Sequence, residues 1–302
     1  MQDRIKQAFF WSLCSTLAFS IVSFLVKFLS GSYSSWEMGF FRSFVNLLIL
    51  LPFVFFRMRP SEIFPLGRRV LVLRGLAGFG GLCCFFYAIA NLPLSVGVIL
   101  SSITPVFVIL FSWIFLREVT RIFSIFAFLL IFAGVVFLVT HGESGDSPNA
   151  VRLFPVLIGL LGAIFGALAM TAVRRAVMTF GTVLIVLYFT GIASILLVPV
   201  LFVTGFTVPG PKDLGLLVLM GMAAAFAQET MTRAYREAPA TLVSIMGLMG
   251  TGFSVLWGVF YFKESLHPVQ WIGITLIVMG IVLVLVFGRP IKKTLLMNPA
   301  SE

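Results

Sequence analysis

Apolar segments of about 20 residues recur along the whole chain, and segments of that length span the hydrocarbon core of a bilayer when they form helices. This pattern limits what the chain can fold into. Of the 302 residues, 60% are hydrophobic and only 11% are charged, which leaves too little polar surface for a soluble domain of this length. The sequence therefore predicts an all-α polytopic membrane protein.

Ten transmembrane helices are predicted, in two groups of five. They cover residues 8–29, 36–57, 70–91, 95–116, 121–140, 153–173, 182–204, 214–235, 240–262 and 268–288. The most polar connection, HGESGDSPNA at 141–150, lies between the fifth and the sixth segment. The expected organisation is a first five-helix repeat at 1–140, a linker loop at 141–152, a second five-helix repeat at 153–288 and a cytoplasmic tail at 289–302.

The first apolar segment follows Arg4 and Lys6 and so resembles the start of a secretory signal peptide. It is too long for the apolar part of a signal peptide, and no clear small-x-small cleavage motif comes after it. We therefore expect that this segment is kept as the first transmembrane helix.

Basic residues indicate the orientation of the helices, because cytoplasmic loops are rich in Lys and Arg. When alternating loops are assigned to opposite faces, one face has most of the basic residues and the other has only Lys27, Arg152, Lys212 and Lys263. Both termini are therefore expected in the cytoplasm. Basic cytoplasmic loops also account for the net charge of +10, so no nucleic acid partner is predicted.

Metal and catalytic motifs are not found in the sequence. Cys14, Cys83 and Cys84 all lie inside apolar segments, form no CxxC pair and are interpreted as small packing residues. The two histidines, His141 and His267, lie in predicted loops without a metal-binding spacing. The sequence therefore predicts no bound metal and no enzyme active site.

The two halves resemble each other. FSWIFLREVTRIFSIFAFLLIFAGVVFLV at 111–139 aligns without a gap with WGVFYFKESLHPVQWIGITLIVMGIVLVL at 257–285. Because each half has five helices, the second half enters the membrane from the opposite face, and the repeat is predicted to be inverted. Inverted repeats are a feature of secondary transporters, in which the two halves move around a site near the bilayer midplane. A duplication kept for folding alone is the alternative.

Several stretches spread over nearly the whole chain carry a family resemblance. They are FFRSFVNLLILLPF at 40–53, LRGLAGFGG at 73–81, FYAIANLPLSVGVILSSITPVF at 86–107, TRAYREAPATLVS at 232–244 and YFKESLHPVQWIGITLIVMGIVL at 261–283. In these stretches the chain resembles the drug/metabolite transporter superfamily, of the type with EamA repeats. WEMGFFR at 36–42 also resembles the branch that contains bacterial S-adenosylmethionine carriers. The second half departs from the pattern, since MGLMGTGFSVLWG at 246–258 has no counterpart of Pro105.

The resemblance implies a secondary transporter that moves a small polar organic metabolite across the membrane by alternating access. The substrate would be an amino acid or a derivative, with S-adenosylmethionine as one candidate. The resemblance further implies a counter-transported ion or metabolite, a monomer or homodimer in a bacterial inner membrane, and no cofactor. Within the superfamily, an exporter of drugs or other metabolites is the alternative. From other classes, the alternatives are a channel, a membrane-embedded enzyme and an assembly protein.

Ionisable residues inside a membrane span are candidates for function. Arg42 and Asn46 share one face of the second span, and a guanidinium suits a carboxylate or phosphate of the substrate. Alternatively, Arg42 pairs with Glu37 or extends to the interface. Arg74 is close to the basic residues at the cytoplasmic end of the third span, and its side chain is expected to extend towards that end.

Gln228 and Glu229 lie in the middle of the eighth apolar segment, where a charge is costly. Two interpretations are open for Glu229. It pairs with Arg233 four residues later, or it lines a central cavity and binds a cationic group or a proton, with Gln228 as a hydrogen-bonding neighbour.

Aromatic residues and helix breakers complete the candidates. Tyr87, Tyr188 and Trp257 are proposed substrate contacts, since pockets often use such rings. Pro105 in the fourth span and Gly247 and Gly250 in the ninth occupy matching places, which predicts a hinge in the transport path.

Glu118 and Glu264 end the fourth and ninth spans, and each is expected to cap or brace a neighbouring span.

Overall fold

The computed structural model describes residues 2–116, 152–247, 249–264 and 268–287, with a few isolated positions between 126 and 137. Within this part of the chain all regular structure is helical, and six helices are long and apolar enough to cross a membrane. They are α1 (Gln2–Leu29), α2 (Ser35–Arg57), α4 (Arg69–Asn91), α7 (Leu153–Ala176), α8 (Thr182–Thr204) and α9 (Pro211–Glu237). A short helix, α3 (Pro60–Ile63), lies between α2 and α4.

Two of the predicted spans are each divided into two shorter helices. The segment at 95–116 forms α5 (Leu94–Ser101) and α6 (Thr104–Leu116), and the segment at 240–262 forms α10 (Ala240–Met246) and α11 (Met249–Phe260). The last predicted span forms α12 (Pro268–Phe287). The predicted span at 121–140 and the predicted linker at 141–152 lie almost entirely outside the described residues.

The breaks have local causes in the backbone. Proline has no N–H, so Pro105 cannot donate to the preceding turn, and the helix stops before it. The last turn before the break contains a bond between residues three apart, in which the Ser102 N–H donates to the Ile99 carbonyl at 3.0 Å. At the second break, the Gly250 N–H donates to the Gly247 carbonyl, also at 3.0 Å. Such tighter bonds keep backbone groups paired where the α-helical pattern is interrupted.

The two halves of the chain pack in the same way. When α1, α2, α4, α5 and α6 are matched with α7, α8, α9, α10 and α11 in order, each major helix contact has a counterpart. Helix α1 packs against α9 just as α7 packs against α4, and α1 packs against α11 just as α7 packs against α6. Helix α2 packs against α9 just as α8 packs against α4, while α2 and α8 contact each other. The helix contacts are therefore symmetric between the halves.

Basic side chains close the ends of two matching helices. Lys27, near the end of α1, donates from Nζ to the Leu92 carbonyl at the end of α4, at 2.6 Å. Arg174, near the end of α7, donates from Nη1 to the Tyr235 carbonyl in the last turns of α9, at 2.7 Å. A cation at a helix C-terminus binds carbonyls that have no helical donor and favours the helix dipole. Lys27 and Arg174 therefore each fasten two helices together.

An acidic side chain closes the start of α5. The Glu264 carboxylate accepts hydrogen bonds from the Leu94 N–H and, at 3.0 Å, from the Ser95 N–H. These are N–H groups of a first turn, which have no partner within the helix. The prediction that Glu264 caps a neighbouring span is confirmed. Glu118 lies outside the described residues.

Glycines allow α4 to approach its two main neighbours closely. A Cβ added at Gly75 would collide with the Ile192 side chain and lie 3.1 Å from the Tyr188 carbonyl oxygen of α8. A Cβ added at Gly81 would lie 3.3 Å from the backbone nitrogen of Gly166 in α7. In membranes, small residues at helix interfaces supply packing contacts that lipid cannot replace.

We expect Gly75→Ala to destabilise the protein, because the new methyl group meets a backbone carbonyl that cannot rotate away. Overpacking of this kind lowers the free energy of unfolding by about 1–3 kcal/mol. Gly191→Ala is the matched control, because no atom lies within 4 Å of a Cβ at Gly191. Thermal unfolding of the two purified variants measures the difference. Equal melting temperatures would contradict the close packing of α4 on α8.

Candidate functional site

A cavity of about 280 Å³ lies where the two helix breaks meet. Every helix from α1 to α11 except the short α3 contributes to its lining, so both halves of the chain enclose it. Its volume is just below the range of about 300–1,000 Å³ that is usual for ligand pockets. The cavity therefore suits a small metabolite better than a bulky drug.

Hydroxyl groups of α1 cover one wall of the cavity. Ser12, Thr16, Ser20 and Ser23 recur at helical spacing and line the cavity together. The Ser12 Oγ is buried and has no hydrogen-bond partner among the described residues. Thr16, Ser20 and Ser23 donate to carbonyls of their own helix, so this wall offers hydroxyl oxygens as acceptors and the Ser12 hydroxyl as a donor.

The helix breaks form another wall. Pro105, Gly247 and Gly250 all line the cavity, and the Ser102 and Thr251 hydroxyls form a hydrogen bond across it. The interruption that Pro105 and the glycines predicted is therefore present in both halves. Their role as a hinge stays a prediction.

Arg42 projects from α2 into a cluster of aromatic rings. Its side chain is 6% exposed, and its Cζ lies 5.9, 5.6 and 5.6 Å from the ring centroids of Phe19, Phe86 and Phe189. Each cation–π contact contributes roughly 0.5–2 kcal/mol. The Arg42 Nε has no hydrogen-bond acceptor in the described part of the chain.

Arg74 lines the same cavity, although its side chain was expected to extend towards the cytoplasmic end of its helix. Its side chain is only 1% exposed, its Cζ lies 4.4 Å from the Phe189 centroid, and its Nη2 donates to the Gln228 Oε1 at 3.0 Å. The expectation that Arg74 extends to the cytoplasmic end of α4 is wrong. Gly78, one turn later, explains the difference, because its missing Cβ leaves room for the guanidinium.

Neither cavity arginine has a carboxylate partner within the described ranges. The proposed partner of Arg42, Glu37, is used elsewhere. Its carboxylate accepts from the Ser34 N–H at 2.8 Å and from the Thr207 N–H at 2.5 Å, so it caps α2 and fixes the loop before α9. The alternative pairing of Arg42 with Glu37 is therefore not seen.

Gln228 and Glu229 face different ways, since successive residues on a helix are about 100° apart. Gln228 is buried and lines the cavity. Glu229 does not line it, and its Oε1 accepts from the Arg233 Nε at 2.9 Å and from the Thr182 hydroxyl at 2.8 Å. Of the two interpretations of Glu229, the geometry supports the ion pair with Arg233.

The remaining candidates lie near the cavity or away from it. Asn46 is buried, but it does not line the cavity. The Tyr188 hydroxyl donates to the Ile63 carbonyl at 2.9 Å, and the Tyr87 ring packs edge-on against Phe154. Contact of these three residues with a substrate stays a prediction.

Trp257 is closer to the cavity, although it does not line it. Its indole nitrogen lies 3.5 Å from the hydroxyl of Ser20, which does line the cavity, and its ring packs against Phe24. Substrate contact by Trp257 also stays a prediction.

The apolar helices and the cavity between the two halves define an integral, multi-pass membrane protein with an internal site that suits a small molecule. The chain belongs to the EamA-like transporter family, whose model matches residues 6–140 and again residues 153–286. It is thus part of the drug/metabolite transporter superfamily, and it contains two EamA repeats.

Several named transporters are similar to this chain over most of their length. The pseudopaline exporter of Pseudomonas aeruginosa is 31% identical over 92% of this chain and 95% of its own. The S-adenosylmethionine uptake transporter of Rickettsia prowazekii is 23% identical over 87% of this chain and 88% of its own. Solute carrier family 35 member G1 of mouse is 27% identical over 87% of this chain and 73% of its own. These names describe transporters rather than enzymes.

A solved crystal structure shares the fold. It has a TM-score of 0.67 and 18% sequence identity, and the match covers 92% of this chain and 96% of that one.

We expect Glu229→Gln and Arg233→Gln each to lower the melting temperature slightly, because each removes the same ion pair, and Arg233→Gln also removes the cation–π contact with Trp11. An exposed pair at this spacing contributes roughly 0.2–0.5 kcal/mol. Arg233 is 48% exposed and Glu229 22%, so a large effect is not expected. The double variant should be no less stable than the Arg233→Gln variant. A stable Glu229→Gln protein that has lost transport, beside a fully active Arg233→Gln protein, would instead support a role of Glu229 in the cavity.

Proposed function

We propose that the protein is a secondary transporter that moves a small polar organic metabolite through the central cavity by alternating access. One observation carries the proposal: the cavity lies at the junction of two broken helices, one from each EamA repeat. Broken helices in matching places of two repeats are where transporters bind their substrates. Family membership and the transporter names of the relatives support the same conclusion.

The proposed architecture has ten transmembrane helices in two inverted repeats of five. The repeats span 1–140 and 153–288, the linker loop 141–152 joins them, and the tail 289–302 follows. The symmetric helix contacts between the halves support this arrangement. The excess of basic residues on one face supports cytoplasmic termini, and a bacterial inner membrane is the proposed location.

In this mechanism the two halves move relative to each other and open the cavity first to one side and then to the other. The breaks before Pro105 and at Gly247 and Gly250 are the proposed hinges, since they hold few α-helical bonds. An ion or a second metabolite, transported in the opposite direction, would bring the cavity back to its starting orientation. A monomer is sufficient, because one chain encloses the cavity, and a homodimer is compatible with it.

An amino acid or a derivative is the proposed substrate, with S-adenosylmethionine among the candidates. The relatives named for pseudopaline export and S-adenosylmethionine uptake support a polar metabolite, in one direction or the other. Among the proposed contacts, Arg42 and Gln228 line the cavity and rank first. Asn46, Tyr87, Tyr188, Glu229 and Trp257 rank behind them. An exporter of drugs or other metabolites of the same superfamily is the alternative.

Filling the cavity should abolish transport. A Cβ added at Gly166 would meet only the Thr104 side chain, at 3.5 Å, so Gly166→Phe projects a ring into the cavity. Gly191→Phe is the matched control, because a Cβ there meets nothing within 4 Å. The measurement is counterflow in proteoliposomes, with amino acids and S-adenosylmethionine as the panel. Saturable counterflow in Gly166→Phe at the wild-type rate would refute the cavity as the transport path, and the absence of counterflow in the wild-type protein would refute a carrier for that panel.

The orientation has its own test. Single cysteines at Ser61 and Thr179 should be accessible from the cytoplasm, and single cysteines at Ser32 and Val208 from the opposite side. All four residues are exposed, and the background lacks Cys14, Cys83 and Cys84. A membrane-impermeant maleimide applied to intact cells and to inverted vesicles gives the side of each position. Labelling of Ser61 and Thr179 from opposite sides would contradict ten spans.

A further inference from the structure

Arg42 and Arg74 lie against the same ring without any counter-ion. Their Cζ atoms are 5.6 and 4.4 Å from the centroid of Phe189, and both side chains are buried. Both line the cavity, and no carboxylate among the described residues pairs with either of them. Two like charges thus lie against one aromatic ring in the lining of the cavity.

In both arginine side chains the Nε donor lacks a hydrogen-bond acceptor within the described ranges. Arg74 uses Nη2 to donate to Gln228, while its Nε has no acceptor within the described ranges. The Nε of Arg42 also has no acceptor there. Buried donors without acceptors are costly, and buried charges without partners are more so. Aromatic faces compensate only in part.

Gln228 and Gly78 hold Arg74 in this arrangement. The Gln228 amide fixes one nitrogen of the guanidinium, and the missing Cβ of Gly78 leaves space beside another. A fixed, planar fork is the group that best matches a carboxylate, which accepts two parallel N–H bonds from it. The arrangement is therefore preorganised for an anion and unfavourable for a cation.

We propose that Arg42 and Arg74 together bind one carboxylate group of the substrate, so that the transported molecules are organic acids or zwitterions with a free carboxylate. This inference rests on the proposed transport function, and it names the substrate class. The hydroxyl groups of α1, including the unpartnered Ser12 Oγ, face the remaining polar groups of the molecule. Gln228 positions Arg74 rather than recognising the carboxylate itself.

The test uses acetate, the smallest group with this chemistry, and acetamide, its uncharged counterpart. In the purified full-length protein, acetate should raise the melting temperature saturably by about 2–4 °C at concentrations well above its dissociation constant. Acetamide at equal concentration should not. Arg42→Gln and Arg74→Gln should each lose the response to acetate, and Arg42→Lys and Arg74→Lys should weaken it, since a lysine keeps the charge without the fork.

Arg233→Gln is the matched control. Arg233 is half exposed, and it pairs with Glu229 outside the cavity. The Arg233→Gln variant should respond to acetate as the wild-type protein does. This control separates a bound carboxylate from general effects of salt on the folded state.

Equal responses to acetate and acetamide in the wild-type protein would overturn the proposal, and so would a full acetate response in either cavity Arg→Gln variant. Stabilisation by inorganic phosphate but not by acetate would overturn the choice of a carboxylate. Failure of the transport function is distinguishable from these results. Counterflow confined to substrates without a carboxylate would refute the carboxylate site but not the transport function. An arginine-dependent acetate response without counterflow of any carboxylate would refute the transport function but not the carboxylate site.

Discussion

A bilayer core offers no hydrogen-bond partners, and this constraint governs both the helices and the cavity. Every backbone group at membrane depth needs a partner within the protein. The long helices meet the requirement along their length, Lys27 and Arg174 close the ends of α4 and α9, and Glu264 closes the start of the short α5. The two interrupted helices are tolerated because their breaks face a protein-lined cavity, where hydroxyl groups such as those of Ser102 and Thr251 are close by, rather than lipid.

The same constraint explains where the charges lie. Glu37 accepts hydrogen bonds from the N–H groups of Ser34 and Thr207, and one carboxylate oxygen of Glu229 accepts from Arg233 and Thr182. Arg42 and Arg74 differ from both, because aromatic rings surround them and no acid faces them in the described part of the chain. The two carboxylates thus have donors close by, whereas the two cavity arginines face no opposite charge within the described ranges.

Much of the fold was predictable from the sequence. Helix positions follow from the length of the apolar segments, and the breaks follow from Pro105 and from the glycines at 247 and 250. Which side chains line the cavity was harder to predict, because adjacent residues on a helix point in different directions. Gln228 and Glu229 are neighbours in the chain, yet only Gln228 lines the cavity. Which of them does so depends on the rotation of α9 against α1, and a single sequence does not contain that rotation.

Arg74 shows what the sequence analysis missed. Its closeness to cytoplasmic basic residues suggested a side chain directed outward, but Gly78, one turn later, leaves room for the guanidinium to turn inward. A methyl group at position 78 would occupy the place of an Arg74 nitrogen. The electrostatic character of the cavity is thus set partly by a residue with no functional group of its own. The charge that the cavity presents is therefore open to change through side-chain volume alone, at a position that carries no charge itself.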